Sequence, residues 1–193
     1  MHVLVLNADY APVSHLPLAT MNWRQAIRAV FLDTVTVIAE YDDWEVHSPS
    51  VTMRVPSVIM TKQYLHFSRR VAFSDANLFL RDRYTCAYCQ KAFPEHSLTM
   101  DHVLPCKYGG ETSWENITTA CGPCNFKKGH NRKIVPAKMP YKPTYYELLN
   151  IRKEFPLSVP SEQWVDYLDW PAEKLFISNG KKENIILRNT LAA

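Results

Sequence analysis

Two cysteine pairs of identical spacing, Cys86-x-x-Cys89 and Cys121-x-x-Cys124, restrict this chain more than any other feature. A C-x-x-C turn brings two thiolates close enough to share one metal ion, and two such turns supply the four sulfurs of a tetrahedral zinc site. Thirty-one residues separate the pairs, more than a compact zinc ribbon holds, so the clamp must enclose a further structural unit. Zinc binding of this kind supplies folding free energy on the order of 10 kcal/mol, which offsets the thin core of so short a segment. Cys106 is left over as a free thiol.

The charge balance points to a partner only locally. The formal net charge is +3, too small to decide anything by itself. From Arg81 to Lys142, however, ten cations stand against five anions, an excess of +5, and the rest of the chain is slightly acidic. A basic excess around a clamped segment suits a polyanionic partner. The first residues, Met1-His-Val-Leu-Val-Leu6, lack the charged start and long apolar core of a signal peptide, and no apolar run is long enough to span a membrane. With paired cysteines favouring metal over disulfides, the expected compartment is the reducing cytoplasm.

An α+β organisation in three parts follows from the patterning. Residues 1–74 form a small α+β unit without a chemical motif. In it Val3 to Asn7 reads as a strand, and Met21 to Asp33 as a helix with Asn22 as N-cap. Thr34 to Ala39 reads as a strand with Trp44 to His47 as its partner, and Val51 to Val55 and Ser57 to Leu65 as further strands broken by Pro56. Residues 75–135 hold the clamp, entered by a helix over Ala76 to Arg83. Residues 136–193 form a mostly helical C-terminal extension, with helices over Thr144 to Phe155 and Ser161 to Leu168 and a final turn or hairpin at Asn179-Gly180.

Inside the clamp, Leu98 to Val103 and Ile117 to Ala120 are candidate strands, and Pro123 to Lys128 opens a helix. Pro105 and Gly109-Gly110 make the strand connection a long irregular loop, so the segment is β-loop-β-helix. It gathers a carboxylate (Asp101), an imidazole (His102), an amide (Asn125) and ammonium groups (Lys127, Lys128). Phosphodiester hydrolysis needs this chemistry: oxygen ligands for a hard divalent cation and an imidazole to activate water. Adjacent strand residues point to opposite faces, so Asp101 and His102 can flank one phosphate only where the strand ends.

Cys86-Ala-Tyr-Cys89, Asp101-His102-Val-Leu-Pro105, Gly109-Gly110, Asn116, Cys121-Gly-Pro-Cys124-Asn125 and Lys128-Gly129 together resemble the ββα-metal core of the HNH endonuclease family, in its four-cysteine zinc branch. The resemblance implies that Asp101 is a ligand of a catalytic magnesium or manganese ion, with Asn125 the second protein ligand. It also implies that His102 is the general base and that Asn116 braces the loop carrying it. Two positions depart from the family pattern: Asn125 stands where many relatives have histidine, and Gln90 where a glycine is common. An amide oxygen favours hard ions over zinc or nickel.

The expected function is therefore a metal-dependent endonuclease acting on DNA, with Lys107, Lys127, Lys128, Arg132 and Lys133 on phosphates. His130 is expected beyond the helix end and outside the ligand set. The rival is a catalytically silent zinc module that binds nucleic acid, which would need none of Asp101, His102 and Asn125. A zinc-stabilised protein-interaction domain would leave the basic excess unexplained.

Overall fold

Every position from Val3 to Leu6 is apolar because the strand they form is covered on both faces. The computed structural model describes residues 2–178 in full and residues 185–186 by backbone alone. The described residues fall into two compact units, one drawn from residues 1–68 and 153–193, the other from residues 69–152.

In the first unit, β1 (His2–Leu6) lies between β2 (Thr20–Asn22), to which it is antiparallel, and β4 (Thr52–Thr61), to which it is parallel. Strand β3 (Val35–His47) pairs with the far side of β4, giving the order β2-β1-β4-β3. Leu4, Leu6 and Val58 enter one core with Val159, Trp164, Leu168, Leu175 and Ile177. Val3, Val5 and Ile59 enter the other, under Ala26 of helix α1 (Trp23–Phe31). Burial of aliphatic side chains of this size stabilises by about 1.5–3 kcal/mol each. Asn22 caps α1 reciprocally: its side chain accepts from Arg24 N at 3.0 Å, and Gln25 Oε1 accepts from Asn22 N at 3.2 Å.

The strand pattern differs from the expectation in two places. Thr34 to Ala39 and Trp44 to His47 are not partners but belong to one long strand, β3, whose register against β4 shifts between Val37 and Ala39, Ala39 and Glu40, and Glu40 and Glu45. Such bulges let a strand continue through the polar Asp42-Asp43 step. Likewise β4 runs unbroken through Pro56, which stands opposite Glu40 beside that irregularity, where a missing N–H is tolerated.

The C-terminal stretch is divided between the units. Helix α4 (Tyr145–Lys153) closes the second unit, and the chain then returns to the first. There it forms a short strand (Leu157–Val159), a 3₁₀ turn over Glu162–Tyr167 capped by Ser161, a second turn over Ala172–Lys174, and a strand (Leu175–Ile177). Pro156, Pro160 and Pro171 keep these pieces short. Trp164 anchors them: it is buried in the first core and donates Nε1–H to Ser57 O at 2.8 Å. The Leu175–Ile177 strand also pairs antiparallel with Ile185–Ile186. The turn expected at Asn179-Gly180, and Leu187, lie outside the described residues.

The second unit is the clamped one. Helix α2 (Asp75–Arg81), capped by Ser74, ends two residues before Arg83. Arg83 and Tyr84 both adopt φ of +53° and turn the chain toward Cys86. Strands β5 (Leu98–His102) and β6 (Ile117–Cys121) pair antiparallel, with Leu98 opposite Cys121 and His102 opposite Ile117. Helix α3 (Gly122–Lys128) follows β6 without a break, Pro123 in its first turn. The core of this unit is small: Leu78, Phe79, Leu98, Trp114 and Ile117. Among the described residues no helix is long and apolar enough to cross a membrane.

Candidate active site

The four paired cysteines converge. Cys86, Cys89, Cys121 and Cys124 place their sulfurs within 4.8 Å of one another, with Cys89 and Cys121 4.0 Å apart. A tetrahedral zinc with Zn–S bonds of about 2.3 Å has sulfur–sulfur edges of about 3.8 Å, so the group fits the ion. The first turn is closed by Gln90 N to Cys86 O at 2.9 Å and tied to β6 by Ala87 N to Thr119 O at 2.8 Å. Gln90 itself has φ of +58°, the left-handed conformation that explains why glycine suits this position. Its side chain compensates by donating to Ala87 O at 2.8 Å. Burial works to raise the Cys86 thiol, but backbone hydrogen bonds from Cys121, Cys89 and Tyr88 outweigh it and bring it down to about 7. Cys124 is pushed up to about 12, chiefly by its hydrogen bond with Cys121. Cys106 is exposed and apart from the cluster.

Asp101 is buried on β5 and fully engaged. Its carboxylate accepts from the Tyr88 hydroxyl and lies 3.1 and 3.0 Å from Lys128 Nζ through its two oxygens. Lys128 also donates to His102 O at 2.6 Å. Burial, followed by the hydrogen bond to Asp101, holds the Tyr88 phenol far above its ordinary range, so it stays a donor. Lys128, expected on phosphate, is therefore not a surface cation: its side chain is 0% exposed and spent on Asp101 and the β5 backbone. It sits one helical turn after Cys124, on the face that α3 turns to the sheet.

Asn125 lies beside the same strand. Its Nδ2 donates to Thr99 Oγ1 at 2.9 Å and Met100 O at 3.3 Å, which leaves the amide oxygen as an available donor to a cation. Asp101 and Asn125 are hard oxygen groups on adjoining elements and fit a hard divalent ion in kind. His102 sits on the opposite side of the β5 pleat, half-buried, with Nε2 3.0 Å from Thr112 Oγ1. No hydrogen bond joins its ring to Asp101 among the described residues.

Asn116 ties down the loop between the strands. Its Oδ1 accepts from Leu104 N at 2.8 Å, and its Nδ2 donates to Leu104 O at 3.1 Å and Glu111 O at 2.8 Å. Gly109 takes φ of +83° after the turn Cys106–Tyr108. Gly110 is required for another reason: a Cβ there would lie 1.7 Å from Leu104 O and 3.0 Å from Asn116 Nδ2. Gly110→Ala is expected to destabilise the second unit by about 2 kcal/mol, since backbone rather than a flexible side chain must yield. Urea unfolding of the variant against wild type, followed by tryptophan fluorescence, checks this; an unchanged midpoint would show that the loop moves freely.

The remaining basic residues behave as surface groups. Lys107, Lys127, Arg132 and Lys133 are exposed, and the Arg132 guanidinium stacks 4.6 Å from the ring centroid of the exposed Tyr108. His130 is exposed two residues past α3.

The family model described as HNH endonuclease matches residues 86–134, and one described as HNH endonuclease-associated, N-terminal domain matches residues 3–69. The chain belongs to the HNH endonuclease family. No curated protein matches it. In this HNH chain the first match falls wholly within the second unit, and the other ends where that unit begins. One residue of the site, Tyr88, escapes a reading of the sequence, and another, Lys128, is singled out there for a different role. Tyr88 lies within the first cysteine turn, where the spacing of the ligands gives no reason to single it out. Lys128 carries the charge of a phosphate contact, although its four-residue spacing from Cys124 marks it for the inner face of α3.

Proposed function

We propose that the protein is an endonuclease that hydrolyses phosphodiester bonds in DNA with the help of one magnesium or manganese ion. The observation that carries this is the arrangement of Asp101, His102, Asn116 and Asn125 around β5, its loop and α3, on a frame fastened by four cysteines. Asp101 and Asn125 would hold the divalent ion, which when bound stabilises charge on the phosphate and leaving group. His102 is the general base: its ring is half-exposed and held at Nε2 by Thr112. Asn116 keeps the loop beyond His102 fixed by grasping Leu104 through both its N–H and its carbonyl. Lys107, Lys127, Arg132 and Lys133 supply phosphate contacts that orient the duplex without reading sequence. The reduced thiols suit a cytoplasmic setting.

One observation favours the rival of a silent nucleic-acid-binding module: Asp101 is already capped by Lys128. Supercoiled plasmid incubated with zinc-loaded protein separates the two. Nicked and linear forms are expected with magnesium or manganese and none with EDTA. Retarded but uncut plasmid under every divalent ion would leave the silent binder as the reading.

A further inference from the structure

Lys128 presents a problem that stability does not solve. A buried ammonium is costly, and well-packed apolar residues generally serve as well or better in such a place. Yet its whole side chain is withdrawn from solvent to bring Nζ to both oxygens of Asp101 and to His102 O. The Tyr88 hydroxyl fixes the same carboxylate from the cysteine turn, so its orientation is set from two elements. Among the described residues, the four cysteines form the one cluster of three or more ionisable metal-ligating side chains. There is thus no acidic cage around Asp101, and its single negative charge is matched by Lys128.

We infer that Lys128 is a positioning residue and the resident counter-cation of the site, withholding Asp101 from divalent ions until a DNA phosphate arrives with its own negative charge. This rests on the nuclease reading. The protein then offers a divalent ion one carboxylate already paired with an ammonium and one neutral amide oxygen, a donor set of no net charge. A hard dication needs anionic oxygen around it. The scissile phosphate supplies that oxygen, so ion and substrate bind together and each raises the affinity for the other. Free protein avoids holding a reactive ion without substrate, and Tyr88 keeps the carboxylate aimed in the meantime.

Manganese binding to full-length, zinc-loaded protein carrying His102→Ala, which blocks cutting, tests this without relying on activity. Binding is followed by electron paramagnetic resonance with and without a short duplex, and only the part removed by Asp101→Asn is scored. Without duplex, no saturable site is expected below about 1 mM, the weak end for oxygen-ligand sites. With duplex, affinity is expected to rise at least about tenfold through linkage. Adding Lys128→Met should make duplex-free binding at least about tenfold tighter by unmasking the carboxylate, while Lys128→Arg, which keeps the charge, should not. Micromolar binding by the parent without duplex, or no tightening in a folded Lys128→Met, overturns the inference. If zinc content and circular dichroism show that Lys128→Met does not fold, the parent titration with and without duplex decides alone. Failure of the nuclease reading is distinct: it is the absence of plasmid cutting by protein with His102 intact.

Discussion

Serine in place of Cys89 or Cys124 is expected to leave residues 69–152 unfolded, with loss of about one zinc per chain. The second unit has five residues at the centre of its core, Leu78, Phe79, Leu98, Trp114 and Ile117, with Leu98 opposite Cys121 in the β-ladder and Ile117 opposite His102. A zinc contribution on the order of 10 kcal/mol is as large as the whole stability of an ordinary domain, so nothing else in the unit can replace it. Strong chelators should act likewise, and binding should weaken as pH falls, because protons compete for the sulfurs. Elemental analysis and circular dichroism read both effects. Freshly purified protein that contains neither zinc nor iron, or a Cys124→Ser variant with native thermal behaviour, would contradict the clamp.

His102→Ala is expected to lower the cleavage rate by about 10²–10⁴ while duplex affinity stays nearly constant, since a general base contributes to the reaction and not to phosphate binding. The exposed cations should show the reverse. Alanine at Lys107, Lys127, Arg132 or Lys133 weakens binding and lowers the slope of log affinity against log salt by about 1 for each phosphate no longer neutralised. Single-turnover cleavage and fluorescence anisotropy at several salt concentrations separate the two behaviours. A His102→Ala protein that cuts as fast as wild type removes His102 from the role of base.

Local features of this chain are legible in its sequence, and distant ones are not. The cysteine turns, the Asn22 cap and the β5–loop–β6–α3 order depend on residues within a few positions of one another. Gly109 and Gly110 stand out as a loop, though the near approach of Gly110 to Leu104 O emerges only in three dimensions. Lys128 is misplaced by its charge, because a lysine's charge says nothing of whether a carboxylate waits beneath it. The merging of two apparent strands into β3 depends on bulges, which leave no mark in the hydrophobic pattern. The return of residues 153–178 to the first unit hinges on Trp164 meeting Ser57 O, a contact across more than a hundred positions of chain.

Arg81 places a limit on how this protein can be dissected. The residue is 2% exposed, and its guanidinium donates all five of its N–H groups: Nε and Nη2 to the two Asp82 oxygens, Nη1 to Trp114 O and Tyr141 O, and Nη2 again to Ile117 O. Asp82 in turn accepts from Thr119 N on β6. The rivet lies upstream of residue 86, where the HNH match begins, and one of its anchor points lies downstream of residue 134, where the match ends. Lysine cannot substitute for it, because a single ammonium lacks the planar fork that serves four acceptor groups at once. The transplantable cassette is therefore longer than the stretch that family likeness outlines. A fusion cut at residue 86 would carry all four paired cysteines and leave behind the bolt that holds them in register.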